Sequence, residues 1–403
     1  MLQVEEAQAR VMDEVAAGAV ESVPLDESLG RVLRESVTAT HDLPAADNSA
    51  MDGYAVRAED IASAPVTLPV IADIPAGHPT KLRLEPGSAM RIMTGAFVPD
   101  GADTVVQVEL TDAGLERVTI AQALPRGASI RRRAEDMRAG DVVLRGGVAI
   151  GPAEIAILAS AGRSRVQVGR RPTVAILSTG DELIEVGETP SPGQIVNTNG
   201  PLLAALVREV GAIARPLGIV RDTREATIAA FEAAIESDFV ISSGGVSVGA
   251  YDFVKEALEA LGAETKFWRV AMKPGKPVVL SRLRDRVVFG LPGNPVSSFV
   301  SFHLFVAPAL RKAMGQEARL YAPTVRARLT AAVRGAAERR VYARVQVTAR
   351  DGELFATPLT SQSSGALTSM LTANGLAVVR EGEHADAGAD VPVILLAVPT
   401  LAP

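Results

Sequence analysis

The sequence predicts a multidomain α/β protein: an opening helix, a β-rich unit, a three-layer α/β domain and a C-terminal β-barrel or sandwich. Three observations carry this reading. The chain has 403 residues, beyond the roughly 250–300 at which a single core stops growing. From residue 171 to 315 short apolar runs alternate with helical segments, the pattern of strands and helices taken in turn. After Tyr321 the helical segments stop and strand follows strand, as a small barrel or sandwich requires.

The elements follow in order. Residues 4–17 carry apolar side chains at helical spacing and run into Gly18, suited to the left-handed position after a helix. The segment HDLPAADNSAMDG, from His41 to Gly53, is rich in Pro, Asp, Asn and Gly and predicts an irregular loop, the kind of segment that carries sites. From Tyr54 to Asp141 short runs such as VTLPVIADI and ADTVVQVEL are separated by Gly and Pro, which predicts a β-rich unit. Residues 152–161 read as a helix with Pro152 in its first turn and Gly162 past its end. The apolar runs VAILST, FVISSG, PVVLS and RVVFGLPG then alternate with helical segments near 202–210, 226–235, 253–261 and 296–314. A parallel three-layer domain follows, with ligands expected at the C-terminal ends of its strands. The strands of the C-terminal barrel or sandwich are TVRARLTAAV, RVYARVQVTA, LFATPL, LAVVR and VPVILLAV. The expected boundaries are 1–45 with 140–170, 46–139, 171–318 and 319–403.

Composition narrows the function. Hydrophobic residues make up 47% and charged residues 22%, with net charge −6. These are values of a folded chain. Lys and Arg are scattered apart from Arg131, Arg132 and Arg133, which argues against general nucleic-acid affinity. The absence of cysteine removes disulfides, thiolate nucleophiles and Cys-ligated metals together. His41, His78, His303 and His384 form no zinc motif, so the metal to expect is a hard ion with oxygen ligands, Mg2+ above all. The N-terminus is acidic where a signal peptide needs a basic region, and the apolar stretch 391–398 falls far short of the ~20 residues that span a bilayer. A soluble, cytoplasmic protein without a membrane anchor is predicted.

Several loops could carry chemistry. Ser178-Thr179-Gly180-Asp181-Glu182 closes the first α/β strand; its two carboxylates either hold Mg2+ or a polar ligand edge, or cap the following turn. Ser242-Ser243-Gly244-Gly245-Val246-Ser247-Val248-Gly249 precedes Tyr251, Asp252 and a helix. Small residues there admit an anion close to backbone N–H groups, and Asp252 caps the helix or coordinates a cation. The alternative is a tight Gly-rich turn with no ligand. The loop lacks the Walker GxxxxGKS/T pattern. Lys273-Pro274-Gly275-Lys276-Pro277 holds two lysines in a stiff turn, suited to the oxygens of phosphate or another oxyanion, or is a solvated basic turn. Pro292, Gly293, Asn294 and Pro295 make either a rigid ligand-facing turn or a plain connector. In the N-terminal half Asp52, Thr94 and Asp136 lie in or near similar Gly-containing runs and are candidate partners for a cation or oxyanion.

The motifs NSAMDGYA, RIMTGA, LSTGDEL, VNTNG, SSGGVSVGAYDF, KPGKPV and FGLPGNPVSSF, in this order, resemble the molybdopterin molybdenumtransferase family, bacterial MoeA and the gephyrin E domain. The likeness covers nearly the whole chain. It implies a four-part protomer, with an N-terminal helical and linker region, an inserted β-rich domain, a three-layer α/β domain that binds molybdopterin and a C-terminal β-barrel, and a homodimer with the site at the subunit interface. It also implies insertion of molybdate into adenylyl-molybdopterin with release of AMP. The resemblance places the pterin and nucleotide site on Ser243, Gly244, Gly245, Ser247 and the turn Pro292, Gly293, Asn294, Pro295. Metal and acid roles fall on Glu182 and Asp252, oxyanion contacts on Lys273 and Lys276, with Asp52, Thr94 and Asp136 from the other subunit. The loop Ser361-Gln362-Ser363-Ser364-Gly365 resembles a family loop richer in glycine, from which Ser363 departs. Molybdopterin adenylyltransferase and downstream molybdoenzyme maturation proteins are the partners this implies. Two rivals stand beside this reading. Molybdopterin adenylyltransferase activity itself would need only the α/β domain, and a non-catalytic scaffold of the gephyrin kind would need no cluster of Asp, Glu and Lys.

Overall fold

The computed structural model describes residues 1–246 and 253–401, which divide into two compact units. One comprises residues 36–145 and 152–164, and the other comprises 1–35, 146–151 and 165–403.

In the first unit a five-stranded sheet runs in the order Thr104–Gln107, Gly53–Val56, Ala89–Ile92, Val66–Ile74, Arg117–Ile120. Gly53–Val56 is buried on both faces. By the alternation of a strand, Tyr54 and Val56 join one apolar cluster with Val106 and Val118, and Ala55 joins the other with Ile74 and Met90. Gly53 has no room for a side chain, since an added Cβ would lie 1.9 Å from the Val106 carbonyl oxygen. Two of the three adjacent arginines are paired within this unit: Arg132 with Asp47 at 2.6 Å and Arg133 with Asp42 at 2.5 Å.

The larger unit holds a six-stranded sheet ordered Ile213–Val220, Thr173–Thr179, Phe239–Ser243, Arg286–Leu291, Val279–Leu283, Glu264–Phe267. Its alternating side chains feed two cores. Val174, Ile176, Ile241 and Phe289 pack with the helices Val4–Asp13 and Asn199–Glu209 and with the long helical run that begins at Pro295. Ala175, Leu177, Val240 and Val288 pack with the helices Arg224–Ala234 and Phe253–Ala260. Three layers result, as the alternation of apolar runs and helices predicts. The sheet is mixed at one edge rather than parallel throughout: Val279–Leu283 runs antiparallel to both neighbours. Only Arg284 and Asp285 join it to the next strand, too few residues for a helical crossover, and Arg284 accepts a left-handed φ of 53° to make the hairpin.

Beyond it five strands close on themselves: Arg340–Arg350, Glu353–Pro358, Thr324–Leu329, Asp390–Leu395, Gly375–Val379 and back to Arg340–Arg350. Closure leaves this ring without a free edge, and Ala327, Val345, Val347, Ala356 and Val393 fill its interior. Met272–Lys273 pairs with the start of the Arg340–Arg350 strand, tying the barrel to the α/β domain.

Phe289 is fully buried in a central strand. Phe289→Ala is expected to destabilise this unit by about 3–5 kcal/mol, read as a lower denaturant midpoint with an unchanged slope.

Candidate functional site

Three neighbouring strands end level. Ser178 lies opposite Ser243, and Ser243 opposite Leu291, so the loops that follow emerge at one edge, where α/β sheets bind ligands. They surround a cavity of about 440 Å³ whose walls include Thr179, Glu182, Asn199, Ser243, Gly244 and the whole Pro292–Pro295 turn.

Glycine shapes its floor. Gly244 takes φ 96°, and a Cβ there would sit 2.5 Å from the Thr179 carbonyl oxygen; at Gly245 (φ 62°) it would meet a Val254 methyl at 2.7 Å. The Gly244 N–H donates to the Leu291 carbonyl at 3.1 Å. That donor is therefore spent inside the protein, and what Gly244 offers a ligand is space rather than the free N–H expected of it. The opposite wall is stiff: Pro295 occupies the first turn of a helix, where its missing N–H is harmless. Ser298 Oγ donates to the Pro292 carbonyl, and the Val296 N–H donates to Ser364 of the barrel at 3.2 Å.

Between these walls lies Asn199, 8% exposed. Its Nδ2 donates to Ser243 Oγ and to the Gly293 carbonyl, both at 2.7 Å. The preceding Asn197 accepts from the Gly200 N–H at 3.0 Å and so holds the start of the same helix.

Carboxylates gather at the rim. The Asp181 N–H donates to Asp222 at 3.3 Å, and the Asp222 N–H returns the bond to Asp181 at 3.2 Å. Burial pushes the Asp222 carboxyl upward, and the charges of Asp181 and Glu182 add to the rise. Glu182 and Asp222 face the cavity. Among the described residues no three Asp, Glu or His side chains converge as a metal cage. Mg2+ does not demand one, since it keeps waters and is commonly held by one or two carboxylates together with substrate phosphates. Ser247 and Asp252 lie outside the described residues.

Lys273 and Lys276 are exposed and stand apart from the cavity lining, although Pro277 contributes to it. Arg344 is fully buried; its Nη2 donates to the Ser361 and Ser363 carbonyls at 2.9 and 3.0 Å. Its Nε and Nη1 have no partner among the described residues. Because Ser363 serves Arg344 through its backbone, a serine fills the place of a glycine there.

In the other unit Asp52 and Thr94 meet. Both the backbone N–H and the hydroxyl of Thr94 donate to Asp52 Oδ1 at 2.7 Å. These donors, the N–H first, hold the Asp52 carboxyl below its ordinary range, with Arg91 helping. Asp136 is exposed, and its N–H donates to the Leu43 carbonyl at 3.1 Å.

Family models place this geometry. Residues 2–162 match the MoeA N-terminal region (domain I and II), 175–312 the "Probable molybdopterin binding domain" and 326–396 the MoeA C-terminal region (domain IV). The molybdopterin molybdenumtransferase of Nostoc sp. is 42% identical over 387 residues, covering 93% of this chain and 88% of that one. The chain belongs to the MoeA family. Its relative of the same name in Bacillus subtilis is 38% identical, over 98% of this chain and 94% of that protein. A crystal structure of the molybdopterin biosynthesis MoeA protein of Pyrococcus horikoshii OT3 superposes with a TM-score of 0.85 at 30% identity, covering 98% and 100% of the two chains.

Of the residues singled out from the sequence, Glu182, Ser243, Gly244, Gly245, Pro292, Gly293, Asn294 and Pro295 all line one cavity. Asp222, Asn199 and Arg344 were missed. Asp222 follows a strand with no glycine to mark its loop, and VNTNG marks Asn199 only as a motif. Arg344 sits within a barrel strand, where nothing in the sequence distinguishes a buried arginine from an exposed one.

Two outcomes follow. Gly244→Ala is expected to abolish ligand binding at the cavity while leaving the far-ultraviolet circular dichroism intact, because the clash is with backbone. For Asp52 the lowered pKa means a stabilising contribution present above the usual value near ~3.9 and lost as pH falls through the lowered one. Thr94→Val keeps the N–H and removes the hydroxyl, so an NMR titration should show the Asp52 pKa moving up toward normal. An unchanged value would show that the hydroxyl does not act on it.

Proposed function

We propose that this protein is a molybdopterin molybdenumtransferase, inserting molybdate into adenylyl-molybdopterin with release of AMP. The observation that carries it is the side-chain-free floor at Gly244 and Gly245 beneath a rigid Pro-Gly-Asn-Pro wall, on a chain similar over nearly its whole length to proteins of that name. The adenylyltransferase and scaffold readings are not favoured. The first needs only the α/β domain, whereas the family match extends through the N-terminal and C-terminal regions, and the second gives no use to the carboxylates at the cavity rim.

In this reading the cavity takes the nucleotide and pterin phosphates, which approach backbone where Gly244 and Gly245 carry no side chain. Lys273 and Lys276 hold the molybdate oxyanion beside the dithiolene, so that metal insertion and AMP departure stay together. Glu182 and Asp252 would hold Mg2+, whose charge makes AMP a better leaving group when it is bound. Asp222, whose carboxyl burial pushes upward, would take up a proton more readily than an ordinary aspartate. The protein acts as a cytoplasmic homodimer, in which the partner subunit's Asp52, the partner subunit's Thr94 and the partner subunit's Asp136 complete the site. It acts after the adenylyltransferase and ahead of the molybdoenzyme maturation proteins.

The test is molybdate-dependent AMP release from adenylyl-molybdopterin. Lys273→Ala and Lys276→Ala should each lower its rate about tenfold to a hundredfold, the worth of one hydrogen bond to a charged group. Thermal stability should not change, since both side chains are exposed. AMP release that ignores molybdate, or a double variant at full rate, defeats the assignment.

A further inference from the structure

We propose that Asn199 is a positioning residue of this site, a side-chain clamp that holds the Ser243-Gly244-Gly245 loop to the Pro292–Pro295 turn and so sets the width of the cleft that takes the nucleotide. The inference rests on the reading of this cavity as the AMP-bearing site. Its basis is geometric. Asn199 begins the helix Asn199–Glu209, yet its amide reaches past that helix to two other segments of the sheet edge, Ser243 and Gly293, at 2.7 Å each.

The orientation of the amide is unambiguous. A backbone carbonyl can only accept, so the nitrogen must face Gly293. Ser243 Oγ then accepts from the same nitrogen and donates its own proton toward the Pro292 carbonyl at 3.4 Å. Both N–H groups of the amide are thereby used across the cleft. The remaining atom, Oδ1, is buried and has no partner among the described residues. A buried acceptor without a donor is unfavourable, and an apolar side chain of similar size would avoid it. An asparagine at this place has its justification in the two bonds donated to opposite walls.

No other side-chain hydrogen bond among the described residues spans these two loops so closely: the Ser243 hydroxyl reaches Pro292 only at 3.4 Å, and the remaining link is the backbone bond from Gly244 to Leu291 at the strand ends. The clamp therefore acts where the walls separate, from Ser243 at the end of its strand to Gly293, past the end of the neighbouring one. Loss of such a contact changes ligand affinity through the geometry of the cleft, because positioning groups act by holding others in place.

The test uses AMP as the probe, titrated calorimetrically into the full-length protein, with Tm measured on the same samples. Asn199→Ala removes both donated bonds and is expected to weaken AMP binding about tenfold, the change produced by one hydrogen bond's worth of affinity. Asn199→Asp is expected to be worse, about a hundredfold, since a carboxylate oxygen would face the Gly293 carbonyl and force the walls apart. Ser243→Ala should weaken binding less than Asn199→Ala does, and adding it to Asn199→Ala should change little, because both act through one contact. Tm should fall by no more than about 4 °C in Asn199→Ala, and the Ser243→Ala comparison carries the test if Asn199→Asp fails to fold. Aspartate binding AMP as well as or better than alanine would show that the position serves as an acceptor, and would overturn the clamp. Equal affinity in all variants would overturn it too. Absence of AMP binding by the unaltered protein would instead overturn the assignment of the cavity, and the clamp with it.

Discussion

The register of three strands governs this molecule. Because Ser178, Ser243 and Leu291 lie side by side, the chain leaves the sheet at one level three times, and everything placed there must fit without side chains in the way. Thr179 and Gly244 show how little room remains: the carbonyl of one occupies the space a Cβ of the other would need. The cavity exists because glycine at that place lets two loops pass and still leaves a floor. A shift of one residue would turn the alternating faces of the strands inside out and empty both helical layers of their apolar partners at the same time.

Around that edge charge is distributed unevenly. Acidic side chains collect at the rim, where Asp181 and Asp222 hold one another through reciprocal backbone bonds despite their like charge. The basic groups lie off this rim: two lysines on the exposed turn that precedes the strand Val279–Leu283, and an arginine inside the barrel wall that holds the loop whose Ser364 accepts from Val296. The barrel thus does more than close the chain. It carries the segment that reaches the start of the helix forming one wall of the cavity.

Much of this was legible in the residues. The alternation of apolar runs and helical segments required three layers, and the Gly-rich and Pro-rich loops stood out because their composition fits nothing but turns. The hairpin at Arg284 escaped notice because a strand followed by a strand differs from a strand followed by a helix only in the length of what joins them. The free N–H expected at Gly244 was absent for a reason composition does not carry: the neighbouring strand's carbonyl had claimed it. Asp52 and Thr94, 42 residues apart, were each singled out for a local pattern. That one donates twice to the other is a property of the folded sheet between them.

By itself the sequence determined which segments form strands, which loops lie at their ends and which residue types those loops offer, since periodicity and turn chemistry are local. Tertiary structure alone decided that Asn199 bridges Ser243 and Gly293, that Asp222 joins the rim, and that Arg344 is buried against Ser361 and Ser363. The physical reason is that hydrogen bonding and burial depend on which distant carbonyls and hydroxyls arrive at the same point, and that is settled only when the layers pack.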